Sequence, residues 1–113
     1  MKTINSFLII AAIGIFSFNA SAQKKEKAEV KIKTSAQCED CQKRIEDRLN
    51  FTKGVKSAKL DVKTKIVTVV YDPAKTSPEK LKEAISKGGY DADDMPANEK
   101  AYKRLPTCCQ KPK

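Results

Sequence analysis

The chain contains no histidine. That absence removes the commonest general base, every histidine-dependent triad and every imidazole-ligated metal site. Aromatic residues are scarce, at 6% of the sequence, and few of them lie among the basic residues. Yet 23 lysines and arginines stand against 14 acidic residues, a net charge of +9. A nucleic-acid surface needs basic groups interleaved with stacking side chains, so nucleic acid is not expected as a partner. The lysines read instead as a solvated surface that attracts acidic partners. Long apolar runs are missing too. The longest, Phe7–Phe18, falls short of the ~20 residues that a membrane-spanning helix requires.

That run has another use. Met1–Ser6 is a short basic start, and Ala20-Ser21-Ala22 is a small-x-small cleavage pattern. Together they read as a secretory signal peptide, residues 1–22, cut after Ala22. The mature chain is then expected to be periplasmic or secreted, with no stable membrane insertion. No cysteine follows the cut, so a lipid anchor there is not expected. Residues 23–28 read as a flexible leader, 29–94 as one domain and 95–113 as an extension.

The chemistry rests on four cysteines in two pairs, Cys38/Cys41 and Cys108/Cys109. Cys38-Glu39-Asp40-Cys41 falls where a strand pattern stops and a helix pattern begins. Thiolates are soft ligands for Cu(I), Hg(II) and Zn(II). A helix start favours them, because its free N–H groups and positive dipole end stabilise an anion. The same spacing serves a redox dithiol or half of a structural zinc site. Export makes disulfides permissible, and sequence does not choose their connectivity.

Around this motif the elements follow in order. Glu29–Thr34 alternates as a half-buried strand, and Cys41, Ile45 and Leu49 form one helical stripe. Glu39 and Asp40 complement the helix dipole at its start. Gly54 ends that helix, and Val55–Val62 is a second strand. Lys65–Tyr71 is β-branched and reads as a central strand, ended by Asp72-Pro73. Ser77 and Pro78 open a second helix, with Leu81, Ala84 and Ile85 inward and Gly88-Gly89 as its stop. Tyr90–Asp93 is predicted as a short, weak edge strand. Asn98 caps a final helix over Glu99–Leu105, and Pro106 precedes Cys108 and Cys109. The order strand, helix, strand, strand, helix, strand gives an α+β fold with one antiparallel sheet and both helices on one face.

Those residues carry a resemblance. Cys38-x-x-Cys41 after a first strand, Gly54-Val55, Tyr71-Asp72-Pro73 and Gly89-Tyr90 together strongly resemble the heavy-metal-associated domain over residues 28–93. The resemblance implies a ferredoxin-like βαββαβ sandwich with a four-stranded sheet, here followed by a short helical extension. It implies a binding module, not an enzyme, that holds one soft ion between Cys38 and Cys41. Cu(I) and Hg(II) come ahead of Zn(II) at a two-thiolate site. The ion is passed by ligand exchange with a donor or acceptor such as a metal-transporting ATPase. Tyr90 matches a tyrosine beside the metal. Ser35-Ala36-Gln37 stands where the family usually has Gly-Met-Thr, and the small Ala36 predicts a less packed loop.

Rival readings are a thiol-disulfide oxidoreductase using Cys38 and Cys41, a four-cysteine zinc module and a disulfide-braced domain. Against the oxidoreductase, the chain lacks an aromatic-Cys-Gly-Pro-Cys motif. Exposed thiolates also allow a metal-bridged dimer. Finally, Cys108 and Cys109 are expected to return to the metal loop as additional ligands. A last strand carries the chain ~13 Å away, and the final helix brings it ~10 Å back.

Overall fold

Strand β1, Ala28–Lys33, pairs antiparallel with β3, Ile66–Tyr71, which pairs antiparallel on its other edge with β2, Val55–Asp61. The sheet order is therefore β1-β3-β2, with the β-branched strand in the middle as its composition requires. The structure is a computed structural model and describes residues 27–112. The expected signal peptide with its cut after Ala22, and most of the leader, lie outside the described residues.

Register puts one apolar face inward. Val67 on β3 stands opposite Ile32 on β1 and Leu60 on β2, while Val69 stands opposite Ala58. All five are buried. Two helices cover this face. Helix α1, Glu39–Asn50, contributes Cys41, Ile45 and Leu49, and α2, Pro78–Lys87, contributes Leu81 and Ile85. The stripes follow helical spacing, so burying them against the sheet is the main stabilising force. Ser77 caps α2 by accepting from the Lys80 N–H, with Pro78 at the first helical position, as the sequence predicts.

The fourth strand of the expected sheet is a correction. Among the described residues, Tyr90–Asp93 forms no strand; Ala92 alone bridges Thr34, and it also bridges Met95. The reason is local. Asp93 sits at φ +53°, a left-handed conformation that interrupts a strand. Its Oδ1 accepts from the Lys33 N–H at 2.8 Å, while its N–H donates to the Lys33 carbonyl at 2.8 Å. A carboxylate thus replaces a backbone carbonyl at the sheet edge, and the chain reverses at once between Ala92 and Met95. The ferredoxin-like class holds, with its last strand reduced to a bridge.

The extension is ordered onto this frame. Asn98 caps α3, Glu99–Lys103, by accepting from the Ala101 N–H. The helix is shorter than the predicted Glu99–Leu105. Gly89 makes its docking possible. Its φ is +99°, and a Cβ there would meet the Ala101 carbonyl group at 3.0 Å. Ser86 Oγ donates to the Pro96 carbonyl at 2.8 Å, and the Asn98 N–H donates to the Ser86 carbonyl at 3.0 Å. A single 3-10 turn, Thr107–Cys109, follows.

Candidate metal centre

Cys38 is the N-cap of α1, in extended backbone at φ −159°, and Cys41 lies in the first helical turn. That geometry brings their sulfurs to 3.5 Å. Cys41 is fully buried and Cys38 partly so. The helix start acts on Cys38 directly. The Cys41 N–H lowers its pKa most; burial opposes this, while the Cys41 thiol, the Asp40 N–H and the Cys108 thiol lower it further. The helix start therefore favours the ionised form of Cys38.

The loop before it is better packed than its small residue predicts. Ala36 is fully buried, and its N–H donates to Thr34 Oγ1 at 3.2 Å. Thr34 Oγ1 in turn donates to the Lys65 carbonyl at 2.8 Å. Ser35 Oγ accepts from the Asp91 N–H at 2.9 Å, tying the loop to the segment after α2.

The C-terminal pair reaches the same place. Cys108 Sγ lies 3.9 Å from Cys38 Sγ and 4.0 Å from Cys109 Sγ. The sulfurs of Cys38, Cys108 and Cys109 all lie within 4.8 Å of one another; Cys41 is outside that set but touches Cys38. Cys109 is buried and Cys108 exposed. Burial, then the neighbouring Cys41 thiol, pushes the Cys109 pKa well up. Cys38 beside it raises that of Cys108. No disulfide joins any of the four thiols. The expected convergence is thus present, but by another route: the early reversal at Ala92–Met95, not a full strand out and a helix back.

Tyr90 lies beside the Cys41 and Cys109 sulfurs. It is 2% exposed, and its hydroxyl has no ordinary hydrogen-bond partner. Burial first, then the Cys109 and Cys41 sulfurs beside it, pushes its pKa far up. A buried, unmatched O–H costs about 1–3 kcal/mol. A donor held next to two thiols is matched once one of them becomes a thiolate.

Sequence reasoning gave Asp40 only a helix-start role and missed its second contact. Its Oδ2 accepts from Arg44 Nε at 3.0 Å and from the Cys109 thiol at 3.5 Å. The Arg44 pairing is legible as an i, i+4 spacing. The contact to Cys109, 69 residues away in sequence, carries no local signal. Asp91 and Lys111 were missed as well. Lys111 Nζ stands 2.7 Å from Asp91 Oδ2 and anchors the end of the tail.

A sequence profile of the heavy-metal-associated domain matches residues 26–91. The chain is 45% identical over 65 residues to the copper-exporting P-type ATPase of Bacillus subtilis (strain 168), covering 58% of this chain and 8% of that protein. It therefore spans a small fraction of the ATPase's length. It is 41% identical over 54 residues to the copper chaperone CopZ of Staphylococcus haemolyticus, covering 48% of this chain and 79% of that one. Among solved structures, oxidized MerP from Ralstonia metallidurans CH34 superposes with a TM-score of 0.58 at 25% identity, covering 60% of this chain and 96% of that one. The profile match stops at residue 91, so α3 and the Cys108/Cys109 turn lie beyond it.

Proposed function

The chain belongs to the heavy-metal-associated domain family, and from that premise we propose that it binds one soft metal ion through Cys38 and Cys41 and passes it on by ligand exchange. The observation that carries this is the 3.5 Å approach of the two sulfurs at the start of α1, where the helix N–H groups lower the Cys38 pKa. Cu(I) is the first candidate and Hg(II) the second, on the softness of the donors. The copper chaperone and copper-exporting ATPase relatives favour copper. Transfer needs no catalytic group: an incoming thiolate displaces an outgoing one, and the metal keeps its oxidation state. The partner is a donor or acceptor with exposed thiolates, such as a metal-transporting ATPase. The net charge of +9 favours an acidic docking face on it.

The proposed place of action is outside the cytoplasm, on the strength of the basic start, the apolar run and Ala20-Ser21-Ala22. N-terminal sequencing of the protein recovered from the cell envelope should begin at Gln23; an intact Met1 on a cytosolic product refutes this. The metal reading is tested by native mass spectrometry of reduced protein offered Cu(I), Zn(II) and Hg(II) in competition. One tightly held soft ion per chain is expected, lost in the C38S/C41S variant with its circular dichroism unchanged. Equal Cu(I) binding by that variant overturns the reading.

A further inference from the structure

The two-cysteine reading leaves Cys108 and Cys109 unused, although both lie beyond the family match. We propose that these two thiols are metal ligands, and that the C-terminal turn closes the α1 pair into a sulfur-only centre of three or four thiolates on one d10 ion. The inference rests on the assignment of Cys38 and Cys41 and extends it.

Spacing is the first support. With a metal–sulfur bond of ~2.3 Å, a tetrahedral thiolate centre sets its sulfurs ~3.8 Å apart. The observed separations are 3.5 Å for Cys38–Cys41, 3.9 Å for Cys38–Cys108 and 4.0 Å for Cys108–Cys109. Of these, the Cys38–Cys108 contact joins free thiols from two distant stretches of chain. Cys38, Cys108 and Cys109 already converge within 4.8 Å of one another, and Cys41, outside that set, touches Cys38.

Construction of the tail is the second support. A loose tail would not fix its thiols. Here Lys111 N–H donates to Tyr102 Oη at 2.8 Å, and Gln110 Nε2 donates to the Leu105 and Tyr102 carbonyls. Lys111 Nζ pairs with Asp91, and Leu105 is buried in the core. The turn itself meets the start of α1 through Cys108 against Cys38 and the Cys109 thiol against Asp40. The third support is the Tyr90 hydroxyl, buried without a partner beside Cys41 and Cys109, where a metal thiolate supplies the missing acceptor.

The centre has two sides. Cys41 and Cys109 are buried, while Cys38 is partly exposed and Cys108 exposed. An incoming thiolate reaches the ion across the Cys38–Cys108 edge, and Cys108 is the ligand it displaces first. Each sulfur–metal bond forms as its thiol releases a proton to solvent, with no change of oxidation state. A closed set of ligands holds its ion longer than an open pair, so the turn acts as a retaining lid.

The test uses the chain from Gln23 to Lys113, reduced and loaded with one equivalent of Zn(II) alone or of Cu(I) alone, measured by X-ray absorption at each metal edge. Three or four sulfurs are expected, falling to two in C108S/C109S. Competition with a chelator should release the ion at least tenfold faster from that variant. Because Cys109 is buried, C108S alone and truncation after Leu105 provide second readings, each with the fold checked by circular dichroism. Two sulfurs in the wild type, or an unchanged count in all three variants, overturn the proposal. Loss of binding in C38S/C41S, with the sulfur count indifferent to the tail, keeps the two-cysteine site and rejects only the lid.

Discussion

The pair at the start of α1 and the pair in the C-terminal turn each set one buried thiol beside a more exposed one, yet their chemistry differs. Cys38 sits at a helix start, where the Cys41 and Asp40 N–H groups lower its pKa. Cys108 and Cys109 sit in a three-residue 3-10 turn, where the Cys109 N–H already donates to the Pro106 carbonyl. Their pKa values rise, Cys108 through its Cys38 neighbour and Cys109 through burial. The helix start thus favours ionisation of Cys38, while the neighbouring thiol and burial disfavour that of Cys108 and Cys109. On the proposed reading, Cys38 captures the ion, and Cys108 and Cys109 join when the metal displaces their protons.

The sharpest way to break this comparison is to exchange the losses. C38S/C41S should lower Cu(I) affinity by several orders of magnitude, and C108S/C109S by far less, as measured by competition with a chromophoric chelator. Equal losses would mean that the two pairs are equivalent.

Next in size is the seat of α3. In Gly89→Ala the added methyl meets the Ala101 backbone at a φ of +99°. The left-handed cost alone is about 1–2 kcal/mol, a fall of roughly 4–16 °C in melting temperature for a domain of this size. The sheet does not depend on this contact. The expected variant therefore stays folded while its metal–sulfur count drops towards two.

Tyr90→Phe is smaller and splits by state. Removing the unmatched O–H should leave the melting temperature of the metal-free protein unchanged or raised. Losing its donation to a thiolate should weaken metal binding by about fivefold, for a hydrogen bond of about 1 kcal/mol. A fall in the metal-free melting temperature would show that the hydroxyl is satisfied without metal.

The smallest effect is on the end of the tail. Burial raises the Asp91 pKa, but Lys111 and the Ala97 N–H outweigh it, and the net shift is downward. A carboxylate depressed on folding stabilises the folded form above its ordinary value of 3.8 and loses that contribution as pH falls through its folded value. Tail docking should therefore be constant from neutral pH to about 5 and loosen below about 4. Amide NMR signals of Gln110 and Lys111 should show this, and Lys111→Ala should show the loosened signals already at neutral pH.

Much of the framework follows from local chemistry. Helix α1 needs only the Cys41, Ile45, Leu49 stripe, and α2 only its Ser77-Pro78 start and glycine stop. The β-branched run Ile66–Tyr71 can be buried only as the central strand, with the other two beside it. Since a helix start is itself a local object, the placing of Cys38 and Cys41 at it was legible as well. The last strand, expected to be short and weak because aspartates form strands poorly, is reduced further to a bridge at Ala92. What displaced it, Asp93 bonding back to Lys33, lies 60 residues away in sequence.

By itself the sequence determined β1 to β3, α1, α2 and the placing of a thiol pair at the start of α1, because these depend on residues within a few positions of one another. Only tertiary structure decided that Cys108 and Cys109 lie against Cys38, that Asp40 receives the Cys109 thiol, and that the Tyr90 hydroxyl is left without a partner. Each of these depends on where the chain turns between Ala92 and Met95 and on how closely α3 settles on Gly89. Such placement arises from packing between distant segments, which no local pattern of residues encodes.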